Sequence, residues 1–266
     1  MRFLLILCIC FSVSSFSQSR LKKAKENILK EQSNSFTHSD SSDRAKNRKN
    51  SFETYLFAEL VFKPLVWAGK SLVIGDKEVR VFNPIPYEKN SSGEYLKLGD
   101  KEDYRINLLQ VTTYYSNGKY RINGLHVDLE YRFSDLIGIT ARHSHFYENH
   151  FGKTENLDLS GLTFNYYRIR EKFITAWWSL GVSHATNNVN SVGFRYGLGA
   201  QVFVKKPISI LLAWQQDFID SGTINECKIN VVYHLKKLNI FTGYNHYNLA
   251  TVKTPSIVIG LRYKLR

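Results

Sequence analysis

Period-two alternation of apolar and polar residues dominates the chain from Tyr104 onward. Ten runs carry it, at 104–115, 121–133, 136–147, 157–168, 173–184, 192–204, 208–218, 224–234, 238–247 and 255–265. A β-strand sends successive side chains to opposite faces, so this alternation marks half-buried strands. In run 121–133, Leu125, Val127, Leu129, Tyr131 and Phe133 share one face, and His126, Asp128, Glu130 and Arg132 share the other. Run 192–204 sets Phe194, Tyr196, Leu198, Ala200 and Val202 against Gly193, Arg195, Gly197, Gly199 and Gln201. Run 208–218 sets Ile208, Ile210, Leu212, Trp214 and Phe218 against Ser209, Ala213, Gln215 and Asp217. Run 255–265 opposes Ile257, Ile259, Leu261, Tyr263 and Leu265 to Ser256, Val258, Gly260, Arg262 and Lys264. Such runs predict an all-β fold, a closed antiparallel up-and-down barrel. Their length suits the about 9–11 residues that a transmembrane β-strand needs. About ten strands are expected, or twelve if segment 53–82 adds a pair.

Upstream the pattern changes. Glu53–Val73 is apolar nearly all round, with Glu59, Lys63 and Lys70 on one narrow helical stripe. It predicts a short apolar helix lying at an interface or packed on the barrel, kinked at Pro64; a spanning helix and an extra strand pair are the competing readings. Residues 72–103 read as a connector. Gly75-Asp76-Lys77 would turn a hairpin between Leu72–Ile74 and Val79–Phe82, and Asn83-Pro84-Ile85-Pro86 breaks regular structure. Gln18–Asn50 is Ser-rich and polar, with nine Lys/Arg and four acids. It predicts a disordered basic linker with a nascent helix near Leu21–Lys30. Met1-Arg2 precedes an apolar run, Phe3–Val13, that is too short to span a bilayer, and Ser15 and Ser17 follow two apart. That arrangement predicts a signal peptide cleaved after Ser17. The expected organisation is signal peptide 1–17, linker 18–50, apolar helix and connector 51–103, and barrel 104–266.

Composition sharpens this picture. Aromatic residues make up 14% of the chain, with 16 Tyr and 17 Phe, types that favour strands and membrane interfaces. A net charge of +13 would suit a nucleic-acid partner, but much of it lies in the linker and the export signal removes the chain from that compartment. The linker is expected to be a solvated tail, with contact to anionic lipid head groups or a partner as the sharper alternative. Cys8 and Cys10 lie in the leader, so only Cys227 remains after cleavage and no internal disulfide can form.

Alternation alone does not separate a membrane barrel from a soluble one. Three features do so here. The first is the export signal. The second is connection length, with short turns at Ser134-Asp135, Arg170–Lys172, Lys205–Pro207 and Leu235–Lys237 and longer connections at Glu148–Glu155, Thr186–Ser191 and Leu249–Pro255. The third is a pair of aromatic belts on the apolar face: Tyr131, Phe133, Tyr166, Tyr233 and Tyr263 toward the short turns, and Tyr115, Phe194, Tyr196, Trp214, Phe218 and Tyr244 toward the long ones. Over Tyr104–Arg266 the chain resembles bacterial outer-membrane β-barrel proteins. Its ending, Ile257–Leu265 with Tyr263, resembles the strand such proteins present to the assembly machinery, although the chain closes on Leu265-Arg266 rather than an aromatic residue. The resemblance implies an outer-membrane location. It also implies outer-membrane lipids and the assembly machinery as partners, and no cofactor.

The inward face of such a barrel would carry Asp128, Glu130, Asp217 and Glu226 with Arg132, Arg142, Arg195, Lys228, Arg262 and Lys264. In a narrow barrel these charges are expected to pair and fill the lumen; a selective pore or ligand slot is the alternative. A second cluster, His143, Ser144, His145 and Glu148, holds the residue types of a hydrolase triad and raises the reading of a rim-active lipid hydrolase. Strand parity counts against it, since Ser144 falls on the face opposite His143 and His145. His143, His145, His150, His184 and His246 gather toward one rim without convergent metal-site spacing, and no metal site is expected. Gly197 and Gly199 would make room for a bulky neighbour such as Trp177.

Overall fold

The structure, a computed structural model, describes residues 19–34, 80–88, 91–97, 107–150, 152–187, 189–219 and 222–265. One helix, α1 (Arg20–Asn34), comes first. Two short strands follow, β1 (Arg80–Phe82) and β2 (Tyr95–Lys97), antiparallel to each other. Ten long strands complete the chain: β3 (Leu108–Gly118), β4 (Ile122–Arg132), β5 (Ile137–His150), β6 (Lys153–Arg170), β7 (Ile174–Thr186), β8 (Ser191–Lys205), β9 (Ile208–Ile219), β10 (Gly222–Leu235), β11 (Leu238–Leu249) and β12 (Val252–Lys264). Each pairs antiparallel with its chain neighbours, and β12 closes on β3 in the register Gly260↔Tyr114, leaving no free edge. They correspond one for one to the ten predicted runs. The barrel has ten strands, not twelve, because β1 and β2 pair only with each other.

The strand pairs β3–β4, β5–β6, β7–β8, β9–β10 and β11–β12 are joined at one end, called upper here. Connections 133–136, 171–173, 206–207 and 236–237 meet at the lower end, beside the last strand's finish. The expected contrast in connection length is absent. Glu148–Glu155 and Leu249–Pro255 are not loops, since β5 and β6 run on as a paired ladder to His150↔Lys153 and β11 and β12 to Leu249↔Val252. The reason lies in an inversion of polarity. Along the middle of β6 the outward residues are Leu162 and Phe164 and the inward ones Thr163 and Asn165. Toward the upper end the outward residues become Asp158 and Ser160 and the inward ones Leu157 and Leu159, both buried. The pleat is continuous while the sense of the alternation reverses. The upper end is built like a soluble barrel, apolar inside and polar outside, and the rest like a membrane barrel.

Helix α1 fills that apolar upper mouth. Leu21, Ala24 and Ile28 recur at helical spacing and are fully buried against Phe146, Leu157, Leu159, Ile219, Ile224, Tyr247, Leu249 and Val252 from the wall. Ser19 is the N-cap, its Oγ accepting from the Lys22 amide at 3.3 Å. Glu148 completes the cap from the barrel wall. Its carboxylate accepts from Ser19 Oγ at 2.7 Å, from the Leu21 amide at 2.7 Å and from the Arg20 amide at 3.2 Å. A carboxylate at a helix N-terminus both satisfies free amides and meets the positive end of the dipole. Lys25, buried, reaches Glu155 at 2.7 Å, and Asn27 donates to Thr251 Oγ1 at 2.6 Å. The Arg20 guanidinium lies 3.3 Å from the centre of the Tyr120 ring. Within the stretch expected to be a disordered linker, Arg20–Asn34 is therefore helical. Composition alone misleads there, because the few apolar residues all fall on one stripe. The predicted apolar helix at Glu53–Val73 lies outside the described residues.

The segment around β1 and β2 occupies the lower mouth. The hairpin expected at Gly75 lies outside the described residues, and Arg80–Phe82 takes Tyr95–Lys97 as its partner. Asn83 then ties the intervening turn, its Nδ2 donating to the Ile85 carbonyl at 2.7 Å and to Ser91 Oγ at 2.8 Å. Tyr95 donates to the Asp135 carbonyl at 2.7 Å and Tyr87 to the Ile208 carbonyl at 2.6 Å, pinning the segment to opposite parts of the rim.

Candidate functional site

Between the two plugs the lumen is polar. All ten charged residues expected on the inner face point inward, and their partners follow from strand positions around the ring. Arg142 on β5 sits beside Asp128 on β4, in register with it, at 2.7 and 3.2 Å. Its Nη1 then crosses the lumen to Glu226 on β10 at 2.7 Å and to Gln215 on β9. β5 and β10 lie diametrically opposite in the ring, so this one side chain bridges the full width. Lys228 pairs with Glu226 at 3.0 Å and donates to Tyr114 Oη at 2.9 Å. Arg195 grips Asp217 with both Nε and Nη2, the latter at 2.9 Å from Oδ2. Arg132 pairs with Glu130 at 2.6 Å and with Glu94 at 3.2 Å, and lies 3.8 Å from the centre of the Tyr167 ring. Lys264 pairs with Glu94 at 3.3 Å. What remains is a polar cavity of about 100 Å³, lined among others by Asp128, Arg142, Arg195, Lys228, Asn230 and Arg262. That is room for several water molecules.

Sequence reasoning missed several participants. Tyr114 and Tyr167 have the inward parity but were not singled out, and Glu94 gave no local sign because it enters the lumen from the loop between β1 and β2. Burial pushes the Glu94 carboxyl up, but Arg132 and Lys264 pull it down harder and hold it at about 2. A depressed folded-state pKa contributes stability that is fully present above the usual carboxylate value and is lost as pH falls through the folded value. Glu94→Gln should therefore cost about 3 kcal/mol at neutral pH. The gap between variant and natural protein should start to narrow below about pH 4.5 and close as pH falls through about 2. Unfolding curves measured across pH check this, and a gap undiminished at pH 2 would show that the charge of Glu94 is not what stabilises the lower plug.

The triad reading is corrected by the same geometry. Ser144 Oγ faces inward and is 2.9 Å from His126 Nδ1, while Ser116 Oγ is 2.9 Å from His126 Nε2. His126 is buried and stacked between Tyr114 and Tyr247. His143 and His145 face outward, to Ser160 at 3.0 Å and Asp158 at 2.5 Å. Glu148 is engaged as the helix cap. Ser144 thus meets neither predicted histidine, and both ring nitrogens of its actual partner are taken by serines, which leaves neither for an orienting carboxylate. His184 and His246 also lie near the upper rim, but among the described residues no group of His, Cys, Asp or Glu converges on a metal position. Gly199 stands where a Cβ would run into the Trp177 ring, as its inward parity suggested.

The outer surface defines the class. Leu125, Val127, Leu129, Leu162, Phe164, Leu180, Val182, Leu198, Leu212, Ile229, Val231, Ile257, Ile259 and Leu261 are all exposed there. Aromatic residues flank this band, with Tyr131, Phe133, Tyr233 and Tyr263 below and Phe194, Phe218 and Tyr244 above. On the upper side Tyr196 packs against Trp214 at 5.3 Å and Phe218 at 5.7 Å between ring centres. So wide an apolar band cannot face water, and closure satisfies every strand in a medium that offers no hydrogen bonds. The chain is a closed transmembrane β-barrel of the outer-membrane type. No family model matches the chain, and no curated protein matches it. Among solved structures it is similar to the KdgM porin, at 11% identity and a TM-score of 0.37 over 60% of this chain and 99% of that one. It is also similar to Ail of Yersinia pestis in phospholipid nanodiscs, at 13% and 0.35 over 60% and 99%. A third is the N-terminal barrel domain of Pseudomonas aeruginosa OprF, at 7% and 0.33 over 60% and 98%. At these identities the likeness is one of fold alone.

Proposed function

We propose that the protein is a closed outer-membrane barrel with a structural or surface-presenting role, not a diffusion pore and not a lipid hydrolase. The observation that carries this is occupancy of the lumen at three levels. Helix α1 fills the upper mouth, the Arg142 bridge spans the middle, and the β1–β2 segment fills the lower mouth. The lower end, where β12 finishes, is the periplasmic side in this reading. The upper end, whose strands continue past the apolar band with His143, His145, Asp158 and Ser160 outside, projects from the cell. The exposed Arg20, Lys22 and Lys23 of α1 then face the exterior. Export follows cleavage after Ser17, and β12 is the strand offered to the assembly machinery.

Conductance across planar bilayers tests the reading. The purified protein, shown to be folded by its heat-dependent gel mobility, should insert without stable current steps. Reproducible ohmic steps from the unmodified protein would favour a narrow solute pore, and recovery of the protein in the soluble periplasmic fraction would sink the membrane reading itself.

A further inference from the structure

Helix α1 and strand β1 lie at opposite ends of the barrel. α1 packs in the upper mouth against Ile219, Ile224 and Leu249. β1 lies in the lower mouth, where Phe82 packs with Tyr95 and Leu108 and has the Arg132 guanidinium 5.1 Å from its ring centre. Residues 35–79, which are outside the described residues, join the two. The chain therefore passes from one side of the membrane to the other between Asn34 and Arg80. Two routes are open to it, down the lumen or along the outer wall.

The chemistry of the two wall faces separates these routes. The lumen is lined by carboxylates, guanidiniums and ammoniums that pair with one another, and Arg142 crosses it to Glu226. The outer face is apolar. Within 35–79 a polar stretch, 35–52, comes first, and Glu53–Val73 is apolar nearly all round. An apolar segment laid along the lumen would separate those ion pairs and leave buried charges unpaired, whereas lipid and the outer wall match it. Its length matches too. As a helix it covers about 30 Å, the thickness of a bilayer's hydrocarbon core. A crossing in contact with lipid must satisfy its own backbone, and outside a closed barrel a helix does so.

The ends also select a strip of wall. α1 starts beside Glu148 of β5 and Tyr120 of the β3–β4 connection. By Asn27 and Ile28 it has reached Thr251, between β11 and β12, and Gly222 of β10. It therefore points out over β10 and β11. β1 enters under β3 and β4, with Phe82 beside Leu108 and Arg132. The shorter arc between these places is β10–β11–β12–β3. On that arc Thr242 of β11 and Thr113 of β3 point outward and are exposed, in register with Ile259 and Leu261 of β12 between them. Two hydroxyls thus interrupt the apolar band on either side of β12. Thr242 donates to the Val258 carbonyl at 2.8 Å, and its hydroxyl still accepts. Glu59 and Lys63, one helical turn apart on the polar stripe of Glu53–Val73, are the groups of that segment that lipid accepts least.

We propose that Glu53–Val73 crosses the bilayer outside the barrel, docked on the outer face of β10, β11, β12 and β3 with its Glu59–Lys63 stripe toward Thr113 and Thr242. The barrel then carries one helical span of its own chain, which ties the plug of the upper mouth to that of the lower.

Fluorescence of the protein folded into vesicles, with its native cysteines replaced by Ser, tests the route. Leu65 lies on the side of the helix away from the polar stripe and Val66 beside the stripe. An environment-sensitive fluorophore on Leu65→Cys should be quenched severalfold more by lipids brominated along the acyl chain than by iodide in the buffer. Quenching by iodide would place the segment in water, and quenching by neither would place it in the lumen; both results overturn the proposal. A benzophenone on Val66→Cys tests the strip of wall. Its adducts should fall on β10, β11, β12 or β3, and adducts on the other strands, or on lipid alone, would overturn the docking. Ser51→Cys and Gly75→Cys should react with an impermeant thiol reagent from opposite sides of the membrane, and access to both from one side would overturn the crossing itself.

Discussion

Replacing Arg142 by Met should destabilise the barrel by about 3–5 kcal/mol, because it strands the buried carboxylate of Asp128 and leaves Glu226 with Lys228 alone. Methionine keeps most of the side-chain length, so little of the loss would come from packing. The loss should be largely recovered when Asp128→Asn is added, since Glu226 keeps Lys228 and the double variant holds no orphaned charge. Denaturant unfolding in micelles, followed by loss of the fast-migrating folded band, measures both. A change below about 1 kcal/mol would mean that water already screens these groups as it does at a surface. The lumen would then be wide and wet rather than bridged, and the narrow-pore reading would gain what the structural one lost.

The same network shows what a sequence makes legible and what it does not. The identity of its members could be read from parity. In β4, once Leu125, Val127 and Leu129 are assigned outward, Asp128, Glu130 and Arg132 can only face in. Partnership could not be read, because the Arg142–Glu226 pair joins strands separated by half the ring, a relation set by strand count and stagger rather than by any local pattern. Glu94 was hidden for a related reason: it reaches Arg132 and Lys264 from outside the repeating region.

Strand ends were misread where the polarity inverts. Leu157-Asp158-Leu159-Ser160 keeps period two, but the apolar set has moved from the outer to the inner face. A reading tuned to one sense of alternation keeps these four residues but stops beyond them, losing Lys153–Asn156 of β6 and Glu148–His150 of β5 to a long loop. The inversion marks where the surroundings of the barrel change from lipid to water. Helix α1 was legible only as a nascent tendency. Leu21, Ala24 and Ile28 form a narrow stripe among lysines, and the cap that fixes the helix comes from Glu148, 127 residues away from Leu21 in the chain. An isolated helix of 15 residues would be marginal in water. Docking into an apolar mouth is what makes it persist.

That dependence predicts that Leu21→Asp combined with Ile28→Asp should expel α1 while leaving the barrel closed. Each apolar side chain contributes about 1.5–3 kcal/mol by burial, and each new carboxylate would have to be buried or leave. The ejected segment carries Arg20, Lys22, Lys23 and Lys25, so trypsin should cut it on the order of a hundredfold faster than in the natural protein, which follows from about 3 kcal/mol at tenfold per 1.4 kcal/mol. The ten strands hydrogen-bond to one another without help from α1, so heat-dependent gel mobility should persist. Conductance should also stay low, because the Arg142 bridge and the β1–β2 segment still occupy the lumen below the helix. Three readouts then separate the parts. Unchanged trypsin cutting would show that the apolar stripe is not what seats the helix. Loss of the folded band would make α1 part of the barrel's own stability. Stable current steps in the double variant would make the helix the sole seal, and the protein a gated channel whose gate is its own N-terminal segment.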